Sequence, residues 1–376
     1  VLLNSMRFLG RYIRMGKAAS TVHSLAKPQD LAPRTQTTFD AIRLLAAFGV
    51  LVSHHFLVAG RPQPSLGSYG ELGPLCVFVF FAISGYFIAG SWSGDPDITR
   101  YWTKRALRIL PALFVTVVLT VFVIGPIATA LETSEYFADS RTWRYLRNAL
   151  LVFGIEYDLP GVFVGRLSSY VNLSLWSLPV ELAMYAVLSI AAFYLPSRTR
   201  LAFPVLAVVS GLLWYVSPDP SGYALSNAFG LGATFFTGAT IHAYGLLPRI
   251  TSAVALSAAG VLALGAFLTV EIGRPILWAA LPILVLGFGS RPSRLGAAVA
   301  RRGDISYGVY LWAFPIQQVF VGTGGFFVSM VLAIMVTALA GLLSMRLIEG
   351  PALALRPGTG PRGGEAIPPQ TPSKAA

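Results

Sequence analysis

The sequence predicts an all-α integral membrane protein of about ten transmembrane helices with both termini in the cytoplasm, and three observations lead there. Apolar residues make up 55% of the 376 and mean hydropathy is +0.66. Charged residues make up 12%, against roughly 25% in a soluble domain. The apolar residues are gathered into runs near the roughly 20 residues that a helix needs to cross the hydrocarbon core. The basic residues then fall unequally on alternate sides of those runs, as orientation in a bilayer requires.

The runs lie at 39–59, 72–92, 107–130, 173–195, 201–217, 225–245, 251–270, 274–289, 305–322 and 326–348, the eighth being short. Threading these ten spans puts 21 of the 28 Lys and Arg on one side and six on the other, with Arg43 inside the first span. The basic-rich side is expected to be cytoplasmic. Residues 1–38 read as a basic cytoplasmic segment, 39–348 as one transmembrane domain, and 349–376, rich in Pro and Gly, as a disordered cytoplasmic tail. The first 38 residues lack the apolar stretch of a cleavable signal. The long connection 131–172 contains an amphipathic piece at 142–154, expected to lie along the membrane surface as a helix.

A formal charge of +12 raises nucleic acid as a partner. The cations sit in short clusters between apolar runs, without a continuous basic stripe, so the partner they fit is the bilayer. The single cysteine, Cys76, lies in an apolar run and is read as packing. No paired Cys/His ligand set, P-loop or G-x-S-x-G motif is present, so metal, ATP and serine-hydrolase chemistry lack sequence support.

Ionisable residues inside apolar runs are costly and therefore informative. Arg43 and His54 are eleven residues apart in the first span, about three helical turns, which sets them on one face about 16 Å apart along the axis. Asp40 shares that face, whereas His55 is turned about 100° away. A histidine is the usual general base near neutral pH, which makes His54 the candidate; the plain alternative is a hydrogen-bonded core histidine. His55 and His242 are read as structural. Arg105 and Arg108, three residues apart, are neighbours on a helix and suit a phosphate-bearing ligand, or else a topological anchor. Glu181 lies in an apolar run with Trp176 upstream and Tyr185 four residues on, and must pair or take up a proton. Tyr310 and Trp312, with Tyr307, Gln317 and Gln318, offer a sugar-sized lining or an interfacial anchor.

Five segments occur in order: FDAIR with the Arg43-to-His54 spacing, VFFAISGYFIAGS (79–91), KRALRILP (104–111), LWSLPVE (175–181) and SYGVYLWAFP (306–315). Together they resemble membrane-bound acyltransferase family 3, the O-acyltransferases of bacterial surface glycans, over roughly 39–348. The resemblance implies a ten-helix protein of the cell (inner) membrane that takes an acyl group from acyl-CoA, with no permanently bound cofactor. It makes Arg43 and His54 the central pair, Arg105 and Arg108 the donor-binding pair, and Glu181 a further site residue. Asp40, Trp176, Tyr185, Tyr310 and Trp312 are the expected substrate-binding residues. Many members have a histidine where this chain has Ala313, so no acid or base is assigned there. The expected function is transfer of an acetyl or other short acyl group to a hydroxyl of a surface or lipid-linked glycan. A glycan transporter or flippase, with Arg43, His54 and Glu181 as a relay, is the alternative.

Overall fold

The computed structural model describes residues 37–151, 154–217 and 223–357. The long helices are α1 (Phe39–Val58), α2 (Leu72–Gly94), α3 (Ile98–Ala128), α6 (Leu173–Tyr194), α7 (Thr199–Val216), α8 (Tyr223–Ala243), α10 (Val270–Gly289), α12 (Ser306–Phe320) and α13 (Phe326–Ala354). Shorter helices intervene: α4 (Thr133–Ala138), α5 (Ser140–Tyr145), α9 (Ser252–Gly265) and α11 (Arg294–Arg302). A helix therefore stands at each of the ten expected spans. Seven of them are long and apolar enough to cross a membrane among the described residues. The chain is a multi-pass membrane protein.

Some boundaries differ from expectation. The expected short eighth span is a full 20-residue helix, α10, and the short one is the seventh, α9, with 14 residues. Helix α3 begins at Ile98, nine residues before the expected 107, because the Asp97 carboxylate accepts from the Arg100 backbone N–H and caps it. The amphipathic piece at 142–154 is helical only as far as Leu150, as the end of α5 and a 3-10 turn, Leu146–Leu150. Helix α13 runs past the expected 348 to Ala354. The basic segment 1–36 and the tail 358–376 lie outside the described residues.

Two π-turns break the long helices, Thr120–Ile124 in α3 and Met345–Glu349 in α13. Each is followed directly by Gly-Pro, at Gly125-Pro126 and Gly350-Pro351. Proline has no N–H to give the preceding turn and its ring crowds that turn, which widens to accommodate it. In α13 the widened turn carries Glu349 into the interior, where the residue is 1% exposed.

The core is built around α2 and α8. A Cβ at Gly85 would lie 1.9 Å from the Phe235 carbonyl oxygen, and one at Gly238 would lie 2.4 Å from that of Ala82. Backbones therefore touch where side chains usually intervene, the small-residue contact by which helices associate in lipid. Cys76 is half-buried with its sulfur against Gly49, consistent with packing. Helices α1 and α12 lie side by side and run parallel, from the Arg43 end to the His54 end. The connection before α6 is fastened to α12. Gln318 Nε2 donates to the carbonyls of Ser168 and Tyr170 at 2.8 Å each, and Asn172 Nδ2 to that of Leu311 at 2.9 Å.

Candidate functional site

The first cluster gathers at the end of the bundle where α1 begins. Arg108 donates to Asp304 at 3.0 Å and to Glu349 at 3.2 Å, so α3, α12 and α13 meet on one guanidinium. Asp304 also lies 3.7 Å from Arg43, which itself bonds Asp40 at 3.4 Å. Asp304 is held in place by Ser306, whose backbone N–H and hydroxyl donate to it at 3.1 and 2.5 Å. Burial opposes its charge, but Arg108 and Arg43 more than offset this and hold its carboxyl below the usual aspartate range. Phe87 covers the Arg43 guanidinium at 5.3 Å from the ring centroid.

Glu181 sits deeper. Its carboxylate accepts hydrogen bonds from the hydroxyls of Tyr185 and Ser84, the latter at 3.3 Å, and it lies in the field of Arg108 and Arg43. Arg105 is buried between this group and its own helix. One terminal nitrogen donates to the Tyr101 carbonyl at 3.1 Å, the guanidinium covers the Tyr101 ring, and Nε has no hydrogen-bond partner among the described residues. Arg105 and Arg108 are thus close in sequence but have separate partners.

Helix α12 leads from this cluster to His54. Tyr307, Tyr310, Phe314 and Gln317 recur at three or four residues, one helical stripe, with Asp304 two residues before the helix begins. The Tyr307 hydroxyl donates to the Ile109 carbonyl on α3 at 2.9 Å. Phe314 meets the His54 ring edge-to-face at 5.2 Å, and Gln317 Nε2 donates to the Leu51 carbonyl at 2.6 Å. His54 is 7% exposed, and its Nδ1 is enclosed without a partner among the described residues. Its ring edge faces Gly73, where a Cβ would stand 4.0 Å from Cδ2. His55 does the opposite: Nε2 lies 3.1 Å from Ser329 Oγ and 3.3 Å from the Phe326 carbonyl, clamping α1 to α13. Both histidines bury an Nδ1 that has no partner among the described residues; they differ in that His55 is tied through Nε2, while the ring contact of His54 is with Phe314.

The expected substrate-binding residues divide. Asp40 belongs to the ion cluster and Tyr185 to the Glu181 group. The Tyr310 hydroxyl is engaged by the Ser174 carbonyl and Ser177 Oγ, both at 2.7 Å, so it fastens α6 to α12. Trp176 is half-buried against the main core, and half-buried Trp312 projects about 200° around α12 from Tyr310. Asp304, Glu349 and Ser84 were not singled out in the sequence. Asp304 and Glu349 border apolar runs, where a carboxylate is ordinary, and Ser84 is one small polar residue in a helix.

A family model described as an acyltransferase domain matches residues 37–347. The chain is 30% identical over 320 residues to an O-acetyl transferase of Shigella phage Sf6, covering 83% of this chain and 94% of that one. It is 26% identical to nodulation protein 10 of Rhizobium leguminosarum bv. viciae, covering 85% and 94% of the two chains. It is also 26% identical to a putative peptidoglycan O-acetyltransferase, YrhL, of Bacillus subtilis (strain 168), covering 83% of this chain and 54% of that protein. No solved structure matches.

Proposed function

We propose, because this chain belongs to the acyltransferase family matched over residues 37–347, that it moves an acetyl or similarly short acyl group from acyl-CoA to a glycan hydroxyl. It is a membrane acyltransferase by that membership; the donor and the acceptor are our reading. The observation that carries it is the parallel pairing of α1 and α12. The arginine cluster stands at one end and a histidine whose Nδ1 has no partner among the described residues at the other, eleven residues and about 16 Å along α1.

The distance suits a donor with two ends. Acyl-CoA carries its phosphates far from its thioester, and its extended pantetheine arm is long enough to reach from the cluster to His54. Arg105 and Arg108 stand at the donor end, beside the pantetheine arm where it leaves the phosphates, and Arg105 Nε has no partner among the described residues. His54 takes the proton of the acceptor hydroxyl as that oxygen attacks the thioester carbonyl. The carbon–sulfur bond breaks, and the CoA thiolate leaves with the proton that His54 returns. Arg43 and Glu181 hold the polar interior in register, and Glu181, tied to Tyr185 and Ser84, is the group nearest the middle of the path. The donor end is cytoplasmic in this reading, the ten helices all cross the inner membrane, and the acceptor is a surface or lipid-linked glycan.

Purified protein in nanodiscs, given acetyl-CoA, tests this. CoA release that rises with a glycan acceptor is the expected result. Absence of CoA release with any acceptor, from protein that is folded, overturns the donor assignment. Family membership disfavours the transporter alternative, and glycan movement across vesicles without acyl transfer would restore it.

A further inference from the structure

The ion cluster is poorly suited to be the first contact for the donor's phosphates. Arg43 and Arg108 are paired with Asp40, Asp304 and Glu349, and Arg105 lies in the field of a fourth carboxyl group, Glu181. A polyphosphate arriving there finds no excess positive charge and must displace carboxylates that already hold Arg108. Unengaged positive charge stands just outside. Arg301 and Arg302 end α11, are exposed, and have no carboxylate within 4.0 Å among the described residues. Arg346, in the π-turn of α13, is likewise exposed and unpaired among those residues.

The backbone segments that carry these three arginines meet. A Cβ at Gly303 would lie 3.0 Å from the Met345 side chain, so the residue after Arg302 packs on the residue before Arg346. Each arginine is within two residues of that contact, a few ångströms of backbone at about 3.8 Å per residue. Gly303, with φ +87, turns the chain there, and Asp304 follows at once with its bond to Arg108. The three arginines therefore start from backbone at the threshold of the cluster, Arg302 being two residues from its central carboxylate.

We infer that Arg301, Arg302 and Arg346 form the binding site for the phosphate groups of the acyl donor, while Arg43 and Arg108 remain paired with carboxylates and face the donor's arm. Guanidinium groups suit this ligand because their fixed donors match phosphate oxygens. The inference rests on the acyl-CoA reading and assigns the phosphates within it. An anionic lipid headgroup presents the same phosphate chemistry, so the test separates the two sources.

The full chain in nanodiscs of zwitterionic lipid is compared with the triple variant Arg301→Gln, Arg302→Gln, Arg346→Gln, using acetyl-CoA and the phosphate-free donor S-acetylpantetheine. Expected is a rise of about tenfold in KM for acetyl-CoA, from three exposed charge-assisted contacts, with kcat little changed. KM for S-acetylpantetheine should be the same in both proteins. The triple Arg→Lys variant should recover most of the affinity. An unchanged KM for acetyl-CoA in the Gln variant overturns the patch and leaves the proposed function standing. A change that appears only in anionic nanodiscs and affects both donors alike also overturns it, as the mark of a lipid contact. A wild-type protein that does not turn over acetyl-CoA overturns the patch and the proposed function together.

Discussion

The Asp304 carboxylate lies 3.0 Å from Arg108 and 3.7 Å from Arg43. Through that one residue the start of α12 fixes the position of two guanidinium groups on two other helices. Removing it leaves Arg108 with Glu349 alone and Arg43 with Asp40. Asp304→Asn should destabilise the protein by about 3 kcal/mol, the usual order for breaking a mostly buried pair. It should also lower kcat/KM. Thermal unfolding in nanodiscs, with CoA release on the same samples, measures both.

The same carboxylate sets an acid limit. Its pKa is held below the unfolded value, so its contribution to stability is fully present above the ordinary aspartate range. That contribution is lost as pH falls through the lower, folded value. Wild type should therefore keep this contribution at pH 6–7 and lose it only in strong acid, while Asp304→Asn should show a shallower acid loss. Unfolding midpoints at stepped pH are the readout, and equal acid slopes would count against the assignment.

The two adjacent histidines should fail differently. His54→Ala should abolish acyl transfer while the protein remains folded, since Nδ1 of that ring has no hydrogen-bond partner among the described residues and its ring contact is with Phe314. His55→Ala breaks the clamp to Ser329 and Phe326. It should lower the unfolding temperature, with a loss on the order of 1–3 kcal/mol, and leave residual activity. Full activity in His54→Ala would end the general-base role.

Gly85 should tolerate nothing larger. Gly85→Val puts a side chain where the Phe235 carbonyl stands, forcing α2 from α8, and should yield little folded protein. Gly94→Val, at the end of the same helix, meets nothing within 4 Å and is the control. Size-exclusion profiles after detergent extraction distinguish them.

Orientation is open to labelling. In a Cys76→Ala background, Ser140→Cys should react with an impermeant maleimide from outside, whereas Leu295→Cys and Glu365→Cys should react only after permeabilisation. Outside labelling of Leu295→Cys would require the map of spans to be redrawn.

Hydropathy and charge determine by themselves that this chain is a bundle of membrane helices, because lipid admits only long apolar segments whose backbone bonds are satisfied internally. The one-face relation of Arg43 and His54 is equally local, since helical pitch sets it. The partners of those residues are not local. Asp304 and Glu349 lie 196 and 241 residues from Arg108, and sequence periodicity carries no information about which helix packs beside which. That Glu349, at the start of the segment expected to be a disordered tail, turns inward onto an arginine of α3 follows only when α13 is packed there. Likewise, two neighbouring histidines are chemically alike in sequence. Only the packing of α12 and α13 against α1 decides that His55 is tied to Ser329 through Nε2 and that His54 meets Phe314 edge-to-face.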